Sequence, residues 1–511
     1  MQTSRRSFLS RAAAGLGLAG SGSLLVPAAQ AAESGAASFD EIYDIVVVGS
    51  GISGTMAALV AARSGAKTLL IEKLNRLGGT SRYSALDFSC VGSDRQKAEG
   101  IEDTPEAMVD DMSKVAGGLA DRERALNVAR NTARAQKVMA DHGVKWKNLL
   151  KLGGHSAKRC LIAEGGGAGI LRSLWASFER YPNLTVMPST KLDELSLDET
   201  GVTGVVVRTH YLFDASLASD DRDNKSGAVK RFGARQGVIM ATGGYARDKE
   251  FMKDEVPYLE HTSNSCSEGA TAGALKSMIR AGARPVQLGL YRFSFALPTE
   301  DFIWGVAIDA KTGKRYCAES LGRNAIALAS MRVRQSSGKM PFIVYDDAAL
   351  ELFHNLGRAA KSLAGLNGRN GTMFKFDTLE ALARHFDTDP KALQATIDAY
   401  NADIVAGRDS AFGKDLERSG RKVRPIGKSG PFYGIPMTAR WDYCPGGILT
   451  DTEARALKLS DGTPLPGLWV VGEAAGGIHG AERLTACSMP DCSVTGMLAA
   501  ESAVKTAKKS L

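Results

Sequence analysis

Tyr43-Asp44-Ile45-Val46-Val47-Val48-Gly49-Ser50-Gly51-Ile52-Ser53-Gly54 opens on a β-branched run and closes on three spaced glycines. The run has the composition of a parallel strand buried on both faces. The glycines follow G-x-G-x-x-G spacing: Gly49 for a tight turn, Gly51 for close approach of backbone N–H groups to a pyrophosphate, Gly54 for close packing of helix on sheet. An alanine-rich helical stretch then runs to Arg63, and Lys67-Thr68-Leu69-Leu70-Ile71-Glu72 reads as a second strand. A glycine triplet alone is a weak signal. Strand, triplet, helix and a second strand ending in an acid together specify a βαβ nucleotide site, with the helix N-terminus facing the anion. Glu72 stands 18 residues after Gly54, where a carboxylate accepts ribose hydroxyls.

The segment after Glu72 separates flavin from nicotinamide. Asn75-Arg76-Leu77-Gly78-Gly79-Thr80-Ser81 places a glycine pair just after the second strand, as in flavoproteins with two dinucleotide-binding domains. Gly237-Val238-Ile239-Met240-Ala241-Thr242-Gly243-Gly244-Tyr245 is another strand running into a glycine turn, and Gly467-Leu468-Trp469-Val470-Val471-Gly472-Glu473-Ala474 repeats the design. Four such strand ends suggest one extended ligand contacted along its length, and FAD has that geometry. The expected fold class is therefore α/β, with a Rossmann-like FAD-binding domain.

At 511 residues the chain exceeds the usual size of one domain, about 100–200 residues. With 44% hydrophobic residues, 23% charged and 56 glycines, it is neither disordered, fibrous nor a polytopic membrane protein. Ser4-Arg5-Arg6-Ser7-Phe8-Leu9, an apolar Gly/Ala-rich stretch from Ala12 to Val26, and Ala29-Gln30-Ala31 form the three parts of an export signal over residues 1–31. The Arg-Arg pair followed by x-Phe-Leu resembles a twin-arginine leader, which implies the twin-arginine translocase as a partner and the bacterial periplasm as destination. The apolar run is short of the roughly 20 residues needed to span a membrane. Removing the leader's three arginines reduces the net charge from +8 to +5, and no basic run of nucleic-acid type is present. Seven scattered cysteines give no disulfide framework, zinc spacing or covalent haem motif.

Gly78-Gly79-Thr80-Ser81, Gly153-Gly154-His155-Ser156, Ala241-Thr242-Gly243-Gly244-Tyr245, Gly269-Ala270-Thr271 and the block from Gly472 to Leu484 resemble the flavoprotein subunits of the fumarate reductase and succinate dehydrogenase superfamily. The likeness covers about residues 41–506 and is strongest to the soluble periplasmic branch of flavocytochrome c fumarate reductases and urocanate reductases. It implies a FAD domain (41–284 and 441–511) interrupted by an α+β clamp domain, placed at 285–440, where an aromatic-rich segment begins. A helix capped by Asp389-Pro390 is expected to run to about Ile404, and 215–230 reads as a polar hairpin or loop. For FAD, the resemblance points to Gly49, Gly51, Ser53, Gly54, Glu72, Lys73, Gly79, Thr80, Ser81, Ala85, Leu86, Thr242, Gly243, Gly244, Tyr443, Gly472, Glu473, Ser488 and Met489.

The related reductases add hydride from flavin N5 to the β-carbon of an α,β-unsaturated acid while an arginine protonates the α-carbon. Arg323 matches that arginine, and Glu300, beside Thr299, would reload it directly or through Asp301. Arg483 matches the arginine that clamps the substrate carboxylate, a task suited to its planar fork. Thr299, Asp442, Tyr291 and His479 are further candidates at the substrate, and Phe293 and Trp304 are candidate pocket walls. Three departures matter. The relay arginine of the family falls on Ile303. The two histidines that hold a second carboxylate are replaced by Ser294 and Asp442, and an aspartate repels a carboxylate at close range. The aspartate usual after Gly-Ala-Thr-x is Gly273. The expectation is a periplasmic FAD reductase of an unsaturated mono-acid, aryl or otherwise, rather than of fumarate, serving as a respiratory electron sink. With no haem motif on the chain, its electrons would come from a separate c-type cytochrome. The alternatives are a dehydrogenase of an oxo-acid or ketosteroid-like compound, whose relatives resemble Gly446-Gly447-Ile448-Leu449-Thr450-Asp451, and a flavin electron-carrier subunit.

Overall fold

The computed structural model describes residues 38–259, 262–353, 373–418 and 420–511. The proposed leader, residues 1–31, lies outside them. Residues 39–511 form one compact unit.

Its centre is an eight-stranded sheet. Strand Glu41–Val48 pairs in parallel with Thr68–Ile71 on one side and with Ala228–Met240 on the other. Leu184–Met187 extends the first side and Pro464–Val470 the second, both parallel. Register positions the site, because Val470, Met240, Val48 and Ile71 lie side by side. The glycine turns after three of these strands and Glu72 after the fourth thus open along one sheet edge, at the carboxyl ends where α/β sheets bind ligands. The strand residues alternate between two cores. Val46, Val48, Leu69, Ile71, Val238 and Met240 face one, and Ile45, Val47, Leu70 and Ile239 face the other. The second core contains the helices Ile52–Arg63 and Ser488–Ala503. These helices approach so closely that a Cβ at Gly496 would lie 2.3 Å from the Ser53 carbonyl oxygen.

Along the chain between strands Ala228–Met240 and Pro464–Val470 comes a four-stranded antiparallel sheet in the order Val306–Ile308, Phe342–Asp346, Phe432–Pro436, Phe374–Phe376. The helices Arg323–Ser337 and Pro390–Val405 accompany it, the latter capped by Asp389 as the sequence predicts. Two short antiparallel ladders tie this region to the large sheet's side: Pro285–Val286 with Gly447–Ile448, and Arg292–Ser294 with Arg440–Tyr443. The segment read as a polar loop at 215–230 contains a helical turn, Asp220–Asp223, and the start of strand Ala228–Met240. No described helix is long and apolar enough to cross a membrane.

Candidate active site

At the sheet edge a cavity is lined by Gly49, Gly51, Ser53, Glu72, Lys73 and Thr242, together with Gly79, Thr80, Ser81 and Gly243. Gly49 adopts φ +98°, and a Cβ there would sit 2.4 Å from the Ala241 carbonyl oxygen. At Gly54 a Cβ would fall 1.8 Å from the Gly49 oxygen, so the helix can dock only without one. Gly51 offers no side-chain cap to the helix beginning at Ile52, whose first N–H donates to Ser81 Oγ at 3.1 Å, and the helix's positive end lies at the cavity. The Glu72 carboxylate accepts from Ser50 N (3.1 Å), Ser50 Oγ (2.5 Å) and Leu74 N (3.0 Å), so it is held in place at the strand end.

Two residues not singled out in the sequence join this cavity, Lys191 and Asp221. Asp221 accepts from Gly273 N (2.8 Å) and pairs with Lys73 at 3.4 Å. Burial raises its carboxyl, but Lys73, Thr271 and Lys191 outweigh that and hold it below the usual range. A Cβ at Gly273 would meet the Asp221 carboxyl carbon at 2.5 Å. The aspartate missing at 273 is therefore replaced in space by a carboxylate from a distant segment.

Ile52, Thr80, Ser81, Glu473 and Cys492 also line a second cavity of about 490 Å³, so the two form one trough. Ala85, Leu86, Tyr443 and Ser488 line the second cavity, while Met489 is fully buried and does not line it. Glu473 accepts from Cys444 N (2.9 Å), and burial pushes its carboxyl up to about 7. Gly244 and Gly472 back onto Glu473 and Ser53 and have no room for side chains. An extended trough with a helix N-terminus, a ribose-side carboxylate and glycine-lined strand ends fits FAD.

Arg483 lines the far part of the trough. It is only 8% exposed, its guanidinium stacks 4.9 Å over the Tyr443 ring, and Nη1 donates to Leu484 O at 3.1 Å. Its buried Nε has no partner among the described residues. An unpaired buried donor is costly unless a ligand completes it. Burial, followed by the charge of Arg292, lowers the Arg483 pKa.

Arg292 was not expected here. Its Nη1 donates to both Asp442 oxygens (2.8 and 2.7 Å), and its Nε donates to Arg483 O at 3.2 Å. The expectation of a bare, repelling aspartate is therefore corrected: Asp442 borders the cavity as half of an ion pair. Tyr291 is also corrected. It packs edge-on against Trp441 at 5.1 Å and donates to Leu288 O, which is a core position rather than a cavity wall. His479 is the third correction. It meets Asp491 through Nε2 at 3.1 Å, beside Tyr443, and burial lowers its pKa, so it braces the start of helix Ser488–Ala503 instead of facing substrate. Phe293 is core, and Trp304 borders a separate cavity with Glu300.

A third cavity shares Arg483 and Thr485 with the trough and contains Thr299, Glu300, Arg323 and Glu482. Arg323 Nη2 lies 4.0 Å from Glu300 Oε1, whereas Nη1 donates to Glu482 Oε1 at 3.3 Å. Burial, then the neighbouring Arg292 charge, brings the Arg323 guanidinium down to about 10. Ile303 is buried in the core and takes no part. The structure thus brings Arg323, Glu300 and Thr299 into one cavity with Arg483, and the Arg292–Asp442 pair lines the trough that Arg483 also borders.

A family model described as FAD binding domain matches residues 44–489. The acrylate reductase flavoprotein subunit of Shewanella woodyi is 32% identical, over 97% of both chains. A cytochrome-type fumarate reductase of Shewanella frigidimarina is 28% identical over 92% of this chain and 78% of that one. In structure, the open conformation of a flavocytochrome c3 fumarate reductase superposes with a TM-score of 0.75 at 24% identity, over 91% of this chain and 79% of that one.

Proposed function

This chain belongs to the FAD binding domain family, and we propose that it uses FAD to reduce the C=C bond of a small α,β-unsaturated mono-carboxylic acid. The observation that carries the reading is the convergence of Arg483, with its buried Nε unpaired, and the low-pKa Arg323 on cavities continuous with the FAD trough.

Gly49, Gly51, Glu72, Thr80 and Thr242 would hold FAD in the trough, where it would supply, once reduced, a hydride for the β-carbon. The remaining work falls to the chain. Arg483 binds the substrate carboxylate through its unused edge, and the Tyr443 ring beneath it fixes the guanidinium plane. Arg323 gives a proton to the α-carbon. Its lowered pKa brings it nearer the operating pH, which is what a general acid requires. The place expected to hold a second carboxylate is occupied by the Arg292–Asp442 pair, neutral overall, so a second negative charge gains little there. The mono-acid named for the 32%-identical relative, acrylate, agrees with this.

Beyond the chemistry, the reading includes export to the periplasm by the twin-arginine route, supported by Arg5-Arg6 and the small-residue site before Ala32. It also includes a separate c-type cytochrome as donor, and residues 285–440 acting as a clamp over the trough. The test is anaerobic turnover of the FAD-loaded protein, reduced with a low-potential dye, against acrylate, cinnamate, urocanate, itaconate and fumarate. We expect a mono-acid to be reduced at least about tenfold more efficiently than fumarate, one decade being about 1.4 kcal/mol in the transition state. Fumarate as best substrate overturns the specificity, and no turnover of any acid overturns the reaction class. Cell fractionation with and without Arg5→Lys/Arg6→Lys tests export.

A further inference from the structure

Arg323 is the first residue of the 15-residue helix Arg323–Ser337. Gly322 offers no side-chain cap and the first turn contains no acid, so nothing within the helix's own first turn offsets the positive end of its dipole at the guanidinium. Burial and Arg292 act in the same direction. All three ease loss of a proton. A guanidine that has lost one must recover it through groups it touches, because its side chain is only 12% open.

Two carboxylates are in range, and they are not equivalent. Glu482 accepts a hydrogen bond from Arg323 Nη1 at 3.3 Å, whereas Glu300 stands 4.0 Å from Nη2, beyond hydrogen-bond reach. Glu300 also packs against the backbone at Gly153, where a Cβ would lie 2.5 Å from its Oε1. Both carboxylates line the third cavity and reach solvent, Glu482 with 14% and Glu300 with 20% of the side chain exposed, so the hydrogen bond to Arg323 is what sets Glu482 apart. Ile303 supplies no proton.

Resting on the function proposed above, we infer that Glu482 is the main carboxyl through which Arg323 regains its proton, with Glu300 as the slower second route. As the α-carbon C–H bond forms, one proton leaves an Nη of Arg323. The Glu482 carboxyl passes one proton to the neutral guanidine and takes another from cavity water. Each turnover therefore draws one proton from solvent, and no electron moves through these side chains. Consecutive residues thus have separate tasks: Arg483 holds the acid and Glu482 refills the donor. The charged groups facing Arg323 are Arg292 and Asp442 from the paired strands, Glu300, and Glu482, with Arg418 and Arg483 in the same cavity.

The test compares Glu482→Gln, Glu482→Asp and Glu300→Gln with wild type, all FAD-loaded, using acrylate and a reduced dye. Flavin content and visible spectrum check that each variant is folded. Because positioned acid–base groups contribute about 10²–10⁴-fold and Glu300 remains as a bypass, Glu482→Gln should lower kcat about 10–10²-fold. KM should stay within about twofold, the solvent deuterium isotope effect on kcat should rise, and kcat should fall at lower pH than in wild type. Glu482→Asp should recover part of the rate, and Glu300→Gln should lose less than Glu482→Gln. The relay is overturned if Glu482→Gln keeps the wild-type kcat, isotope effect and pH profile, if it changes KM alone, or if Glu300→Gln is the more damaging. If Arg323→Ala abolishes turnover while Glu482→Gln does not, the relay fails and the proposed function stands. If wild type reduces no acid, both fail.

Discussion

Asp442→Asn separates a structural pair from a specificity device. The substitution keeps shape but removes the charge that holds Arg292 through two short contacts, 2.7 and 2.8 Å. Breaking one side of a buried pair costs about 3–5 kcal/mol, and an exposed pair contributes about 0–1. Arg292 is 8% exposed but Asp442 is 25%, which puts the loss between these limits, at about 2 kcal/mol. Unfolding entropy is about 2 cal/mol/K per residue, so a unit of about 470 residues gains about 1 kcal/mol/K and Tm falls only about 2 °C. The kinetic effect should be easier to see. An unpaired guanidinium about 5 Å from a second carboxylate gains about 3 kcal/mol at an effective dielectric of about 20, before desolvation. We expect kcat/KM for fumarate relative to acrylate to rise at least about tenfold, the conservative part of that gain. Loss of Asp442 also withdraws a charge that raises the Arg323 pKa, so the alkaline fall of the rate should move to lower pH. Arg292→Met on top of Asp442→Asn should cancel the fumarate gain and recover most of the stability, since removing both partners of a pair is far milder than removing one. An unchanged fumarate-to-acrylate ratio in Asp442→Asn would refute the assignment of specificity to this pair.

Gly49→Ala should abolish flavin retention, measured as FAD absorbance per chain, because the new Cβ meets the Ala241 oxygen at 2.4 Å with φ at +98°. Arg159 is fully buried and joins Asp103 (2.7 Å) to Asp111 (2.6 Å), so Arg159→Met should cost about 3–5 kcal/mol in denaturant unfolding at pH 7. Burial alone raises the Asp111 carboxyl, but Lys114, Ser156 and Arg159 hold it well below its ordinary value of about 3.9. Wild type should therefore be fully stabilised above about pH 4 and lose that contribution as pH falls further, and the variant should lose less over the same range. Glu473 behaves oppositely, since burial raises its carboxyl to about 7. The flavin-free chain binds the extra proton when folded, so its stability should fall as pH rises from about 4.3 to 7. Glu473→Gln should flatten that slope in urea titrations.

The cofactor half of the site was legible because each of its parts is local. Strand, glycine turn and helix N-terminus follow one another within Tyr43–Gly54, and their spacing carries the backbone geometry itself. On the substrate side the sequence singled out Arg483 and Arg323, which the structure brings to cavities that adjoin the trough. What escaped depends on pairs assembled from far apart. The Arg292–Asp442 pair exists because Arg292–Ser294 lies antiparallel to Arg440–Tyr443. Asp221 takes the space left by Gly273 although 52 positions separate them. Yet a local rule bears on one of the misses. Neighbours in a strand point to opposite sides, so with Tyr291 and Phe293 in the core Arg292 reaches the cavity, whereas Glu482 lies in a bend and shares its cavity with Arg483. An aromatic residue attracts attention in such a strand, but the charged residue beside it faces the opposite way. In this chain those overlooked neighbours, Arg292 and Glu482, are the groups in contact with the substrate-side charges. Alternation along Arg292–Ser294 therefore constrains Arg292: with aromatic neighbours facing the core, the charged residue must face the cavity and find a partner there, and Asp442 on the paired strand is that partner.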